Sequence, residues 1–329
     1  MDTNCFVIGY GSIGQELVRK IRDYGWSVKY IAKSDGVYVI DSNFRSWSAG
    51  GWKSLNLKDI SIAFIVIPAS PGGKTSREYA TFFARRDIKV VSCEKSLFAY
   101  YPTYLESFGF TASVGGGSHL LPFVKEQVRG RYDVTVHLIL NATLNFIMSS
   151  RKRMKSSVAD AVKLNLAEPG ANDTLGIINR EIEDTALKTC IVVNHCFLPW
   201  QSMLRESAMF RPDDISVSYL IDSDIVQLER EKRDYRYIVS FSRQEFSSSH
   251  IFGGFRFKTV NGWYVSAGFK KVDDDPQFAR LIVSGVNNSA VVYSEGLEKP
   301  PCYIAGPGAG PEPTVATMMQ DAKRLLGVY

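Results

Sequence analysis

The chain has 329 residues, 45% of them hydrophobic and 22% charged, with a formal net charge of +5. That length suits two domains, or one large domain with an insertion, and the composition is that of an ordinary globular protein able to bury a sizeable core. So mild a charge argues against nucleic acid as a partner, and the basic run Arg151, Lys152, Arg153, Lys155 reads as a solvated helix end.

The first third alternates strand and helix patterns. Strands are expected at Phe6 to Ile8, Val28 to Ala32, Ala63 to Ile67 and Val90 with Val91; helices run from about Ile13 to Asp23 and Ser76 to Arg85. Such alternation predicts a parallel, doubly wound sheet. From about Phe110 the rhythm changes. Gly115-Gly116-Gly117 leads into a helix, and Tyr132 to Leu140 reads as a longer strand of mostly alternating polar and apolar residues. Helices over Ser156 to Leu166 and Ile177 to Asn194 flank a loop from Glu168 to Asp173. Strand-like runs follow at Tyr235 to Phe241, Phe255 to Val260, Trp263 to Phe269 and Ser289 to Tyr293, with Ser247 to Ser249 as a loop tip, so the middle is α+β. Gly306-Pro307-Gly308-Ala309-Gly310 precedes a final helix, Thr314 to Leu326, with Val315, Met318, Met319 and Ala322 as its apolar stripe.

No apolar stretch reaches 18 residues, so no membrane span is expected, and the N-terminus lacks the features of a signal peptide. A cytoplasmic protein is expected. Cys5, Cys93, Cys190, Cys196 and Cys302 are odd in number and widely scattered, which argues against a disulfide framework or a zinc site and predicts small buried hydrophobes. The histidines form no ligand pair.

Gly9-Tyr10-Gly11-Ser12-Ile13-Gly14 directly follows the first strand and opens the first helix, the context a dinucleotide fingerprint requires. Its glycines give a tight turn, close approach of backbone to pyrophosphate, and close packing of helix on strand. Gly9, Gly11, Ser12, Ile13 and Gly14 are therefore cofactor-binding candidates. The second strand ends in Lys33 and Ser34 instead of the acid that binds a free ribose diol, which favours NADP; Asp35, one residue on, leaves NAD as the alternative.

Further segments narrow the family. Cys93-Glu94-Lys95-Ser96, Ala112-Ser113-Val114-Gly115-Gly116-Gly117, Leu140-Asn141-Ala142-Thr143-Leu144-Asn145, Ala167-Glu168-Pro169 with Asp184-Thr185-Ala186-Leu187-Lys188, and the terminal Gly306 to Gly310 stand in one order along the chain. In that order they resemble the motifs of homoserine dehydrogenase. The resemblance implies an α/β protein: an N-terminal Rossmann domain, a doubly wound parallel sheet, over residues 1–115 plus 306–329, and an α+β substrate-binding and dimerisation domain over 116–305. It implies interconversion of L-homoserine and aspartate semialdehyde with NAD(P), a homodimer, and a final helix packed on the nucleotide domain. With the chain ending at Tyr329, no C-terminal regulatory domain is expected.

By the same resemblance Lys188 and Lys95 are the proton-transfer candidates, with Lys95 beside the nicotinamide. Glu168, Asp184, Thr143 and Asp173 would hold the substrate, and Ser70, Gly308 and Gly310 would join the cofactor site. A sodium ion would rest on backbone carbonyls of Val114, Gly116 and Ser118, although Thr111 stands where the family often has an assisting Glu. The chemistry needs a group that takes the hydroxyl proton and returns it, and a lysine can serve. On a helical wheel Asp184 and Lys188 share one face, opposite Ile178, Ile182 and Ala186, so the pair is expected in a cleft. A surface i,i+4 salt bridge is the alternative. Gly170-Ala171 replaces the family's usual Asp-Pro, Ala142 replaces a glycine, and the Glu168 to Asp184 stretch is longer. These departures touch the substrate pocket, leaving open a same-fold dehydrogenase for another amino-acid-derived alcohol or aldehyde, or a silent NADP-binding protein.

Overall fold

The structure, a computed structural model, describes residues 3–40, 46–48, 51–131, 133–168, 170–198, 208–246, 252–259, 261–294 and 300–328. Tyr132, Pro169, the expected loop tip at Ser247 to Ser249, and Val260 lie outside them. The chain divides into two compact units, Met1–Gly117 with Gly310–Tyr329, and Ser118–Ala309.

The first unit runs β1 (Asn4–Ile8), α1 (Ser12–Asp23), β2 (Ser27–Lys33), β3 (Gly36–Ile40), β4 (Ser46–Ser48), β5 (Ile62–Ile65), α2 (Lys74–Ala84), β6 (Lys89–Ser92) and α3 (Lys95–Tyr100). The end of the chain adds α9 (Pro311–Leu326). The sheet order is β4-β3-β2-β1-β5-β6, and β2, β1, β5 and β6 are mutually parallel. Alternation along β1 sends its side chains to two cores. Cys5 and Val7 pack with Leu17, Val18 and Ile21 of α1 and with Val315, Met318, Met319 and Ala322 of α9. Phe6 instead meets Phe83 of α2 edge-on, ring centroids 5.2 Å apart. Helices thus cover both faces of the parallel strands, and the stripe read on the final helix is its docking face.

The sequence reading missed β3 and β4. They extend the β2 edge as antiparallel strands, with Lys33 paired to Gly36 across a two-residue turn of Ser34 and Asp35. Gly36 takes φ +143°, which favours glycine.

The second unit holds α4 (Leu120–Val128), β7 (Val134–Ile139), α5 (Ala142–Ser149), α6 (Met154–Lys163), α7 (Thr174–Val192), α8 (Asp222–Arg230), β8 (Tyr235–Ser242), β9 (Phe252–Lys258), β10 (Tyr264–Lys271), β11 (Asn287–Ser294) and β12 (Cys302–Pro307). Its sheet, β12-β11-β7-β8-β10-β9, is antiparallel throughout. α4 and α5 pack against β11, and α5 also against β8. Ile139, Ile238 and Val291 form a separate cluster with Phe278 and Leu281. The strand expected in this region is β7, and all six of its residues are buried, its polar Thr135 and His137 included.

Helices α5 and α8 and strand β12 were also unread. Of the cysteines, Cys5 and Cys190 are buried as expected, while Cys93, Cys196 and Cys302 are only partly so. The basic run is exposed at the start of α6, where Lys152 pairs with Asp160 at 2.5 Å. Among the described residues, no helix is long and apolar enough to cross a membrane.

Candidate active site

In the first unit the fingerprint is built on close approach. A β-carbon at Gly9 (φ +100°) would run into the carbonyl of Val66, and one at Gly14 into the carbonyl of Gly9; at Gly11 it would meet nothing within 4 Å. Two glycines therefore let the turn close, and the third leaves open space where a phosphate can approach the backbone. Helix α1 carries no side-chain cap, so the first N–H groups, those of Ser12 and Ile13 among them, face that space with the positive end of the helix dipole.

At the tip of β2, Lys33 Nζ lies 3.2 Å from Asp35 Oδ2 and 4.2 Å from the Tyr38 ring centroid. The Tyr38 hydroxyl donates to the same carboxylate oxygen at 3.0 Å. The two residues that favoured opposite cofactors are thus partners on one turn, beside exposed Ser34. Asp35 raises the affinity of Lys33 for its proton, chiefly through their hydrogen bond, and Tyr38 and then Lys33 lower the carboxyl of Asp35. Ser70 Oγ accepts from the Thr75 N–H at 3.1 Å ahead of α2. Lys95 is the first residue of α3, whose N-cap, Glu94, accepts from the N–H groups of Ser96 and Leu97 at 2.8 Å each.

Gly310 (φ +111°) caps α9, while Gly308 leaves no room for a β-carbon beside the Asn288 side chain. Gly115 and Gly116 both take positive φ, and Val114, Gly116 and Ser118 are buried. Thr111 gives both its N–H and its hydroxyl to Asp321 Oδ2, at 2.8 and 2.9 Å.

In the second unit the residues read from the sequence converge on α7. Lys188 Nζ lies 2.6 Å from Asp184 Oδ2, with the two side chains only 12% and 3% exposed. That corrects the alternative of a surface salt bridge: the pair is held inside the protein. A third member was missed. Glu181, 1% exposed, stands one turn before Asp184 on the same helix. Asn141, the N-cap of α5, accepts the Leu144 N–H at 2.7 Å and aims its amide nitrogen at both acids, 2.8 Å from Glu181 Oε2 and 2.9 Å from Asp184 Oδ2. Burial, and then the neighbouring negative charge of Asp184, push the Glu181 carboxyl up to about 7.

Glu168 reaches this cluster through its backbone, its N–H donating to Glu181 Oε1 at 2.6 Å. The same loop is pinned from α5, where the Thr143 hydroxyl donates to the Leu166 carbonyl at 2.7 Å. Thr143 is thereby placed on the loop that carries Glu168. Asp173 does not join the group: it is the exposed N-cap of α7, accepting from Gly176 N–H, and the eleven helical steps to Asp184 set the two about 16 Å apart along the axis. Among the described residues no group of three or more His, Cys, Asp or Glu is arranged to hold a metal. The second unit thus offers a lysine for proton transfer, set among buried carboxylates suited to an ammonium.

The family model for homoserine dehydrogenase matches residues 122–322, more than half of the chain. The chain belongs to the homoserine dehydrogenase family. The expected fold class and the reading as an NAD(P)-dependent homoserine dehydrogenase stand with it. The fold is similar to that of the homoserine dehydrogenase of Thermoplasma acidophilum, with a TM-score of 0.71 at 16% identity over 100% of both chains. It is also similar to a hyperthermophilic archaeal homoserine dehydrogenase in complex with NADPH, with a TM-score of 0.66 at 17% identity over 100% of this chain and 99% of the other. For S. aureus homoserine dehydrogenase the TM-score is 0.62 at 16% identity over 100% of this chain and 79% of that one. No curated protein matches the chain by sequence.

Proposed function

We propose that the protein interconverts L-homoserine and L-aspartate 4-semialdehyde with NADP, the buried Asp184–Lys188 pair at 2.6 Å being the observation that carries the reading. When bound, the cofactor takes a hydride from the alcohol carbon and returns it in the reverse direction. Lys188 takes the hydroxyl proton as the hydride leaves and gives it back during reduction. Asp184 holds Lys188 in place and, with the Glu168 carboxylate, meets the substrate ammonium. Lys95, opening α3, serves the nicotinamide side.

Gly9, Gly11, Gly14 and the first turn of α1 would hold the pyrophosphate, with Ser70, Gly308 and Gly310 as further cofactor positions. The open space at Gly11 fits such a group. Lys33 and Ser34 would meet the 2′-phosphate. A sodium ion on the carbonyls of Val114, Gly116 and Ser118 rests on resemblance, and no step of the reaction runs through it. The free thiols of all five cysteines suit a reducing cytoplasm.

Purified protein should reduce NADP⁺ in the presence of L-homoserine. Turnover with a different amino alcohol and none with homoserine would overturn the substrate. In the same assay Lys33→Asp should shift the preference toward NAD by on the order of tenfold or more, since a carboxylate would replace the cation facing the phosphate. Tighter NAD binding by the wild type, unchanged in the variant, would overturn the cofactor assignment. A two-fold dimer is proposed on resemblance and on the general prevalence of such assemblies. Light scattering at micromolar concentration should give a mass near twice 36.8 kDa; a monomer mass would refute it.

A further inference from the structure

We propose that Glu181 is a positioning residue of this reaction: beside the Asp184–Lys188 pair, it ties Asn141 and the Glu168 loop to one carboxyl group. The inference deepens the proposed homoserine reaction and rests on it.

Glu181 is buried, and each of its oxygens already has a partner within the protein. Oε1 accepts the Glu168 N–H at 2.6 Å, and Oε2 accepts the Asn141 amide at 2.8 Å. The Asn141 amide also reaches Asp184 Oδ2, the oxygen that faces Lys188 Nζ. One side chain therefore links the backbone of one proposed ammonium-binding acid to the carboxylate of the other. A structural role alone could be met by any buried acceptor. What it would not explain is a second acid one helical turn from a buried aspartate, where two negative charges repel.

The groups facing Glu181 are Asp184 from α7, Asn141 from the start of α5, and Glu168 from its loop, with Lys188 behind Asp184. With Glu181 protonated, Asp184 alone balances the lysine. If Glu181 ionised, a second negative charge would stand beside the pair and make release of its proton harder. Oxidation of an alcohol requires that release. Ionisation of Glu181 above neutrality therefore pushes the ascending limb of the pH profile for homoserine oxidation to higher pH, and a neutral residue at this position brings that limb down.

The test compares wild type, Glu181→Gln and Glu181→Asp by kcat, KM and pH profile, with NADPH affinity and melting temperature measured alongside. In Glu181→Gln the midpoint of the kcat/KM profile for homoserine should move down by about one pH unit, with NADPH affinity unchanged. In Glu181→Asp, which keeps the acid but shortens its reach to Glu168, the midpoint should stay and KM for homoserine should rise several-fold. Should Glu181→Gln fail to fold, the Asp variant and the spectra of wild type carry the test. Infrared spectra of wild type should show a protonated carboxyl that disappears as pH passes through about 7. Variants that lose melting temperature alone, with profile and KM of the wild type, or spectra with no protonated carboxyl near neutrality, would overturn the proposal. A wild-type enzyme inactive on homoserine would defeat the functional reading separately, since the infrared titration does not depend on turnover.

Discussion

Lys188→Ala should lower turnover with homoserine by roughly 10²- to 10⁴-fold, the range that a general acid–base group supplies, while NADPH binds with nearly wild-type affinity. The expectation rests on an ammonium 2.6 Å from a carboxylate, both largely shielded from water. A surface pair in this position would be worth a few tenths of a kcal/mol and would leave turnover alone. Folding should survive, because the cluster can replace the lost cation by a proton: the carboxyl of Glu181 already titrates near neutrality.

The sign follows from linkage. Without Lys188 the folded protein holds more protons on these acids than the unfolded chain, so the variant loses stability as pH rises through the folded-state range. Its melting temperature should fall less at pH 6 than at pH 8. Wild-type turnover in purified Lys188→Ala would defeat the assignment and make Lys95 the next lysine to test.

Much of this site was legible in the sequence, for reasons that differ by element. The fingerprint glycines were readable because their demands are local: a turn, a close approach and a helix start lie within six residues. Asp184 and Lys188 were readable through their spacing of four on a helix, but their burial was not, since it depends on Asn141 and the loop from Glu168 folding over them. Glu181 was missed although it lies three residues before Asp184 on the same face. Its spacing of three from Asp184 and seven from Lys188 was the signal that went unused, since Glu183 lies off that face and is spent on a surface pair with Arg180. Its burial, set by the packing of α5 against α7, was not legible.

The β3 strand had a signal that went unused. Asp35-Gly36 followed by Val37, Tyr38, Val39 and Ile40 is a turn signal leading into β-formers. Recognising the hairpin would have shown that Lys33 and Asp35, the residues favouring opposite cofactors, share a turn. Helix α5 was harder to read, because six of its eight residues are buried and little amphipathic period remains.

Asp184→Asn should separate binding from proton transfer. The amide keeps the shape of the carboxylate, so α7 and Asn141 can stay in place, but the charge facing the substrate ammonium and Lys188 is gone. Loss of a charge-assisted contact of about 1.5 to 3 kcal/mol corresponds to a KM for homoserine raised roughly 10- to 100-fold, with a smaller fall in kcat than in Lys188→Ala. Stability should drop as well. Breaking a buried pair by removing one partner costs about 3 to 5 kcal/mol in general. Here Glu181, relieved of the repulsion from Asp184, ionises more readily and restores part of that charge, so the loss should lie below that range. The recovery is partial and has a pH signature: Glu181 stays desolvated in the variant, so stability still falls as pH rises, but less steeply than in Lys188→Ala, where no cation remains to face the ionised carboxyl. Steady-state kinetics with thermal melting at pH 6 and pH 8 reads both effects. A KM equal to that of the wild type would remove Asp184 from substrate binding, and a melting temperature that falls between pH 6 and pH 8 as steeply as in Lys188→Ala would show that Glu181 does not answer for its neighbour.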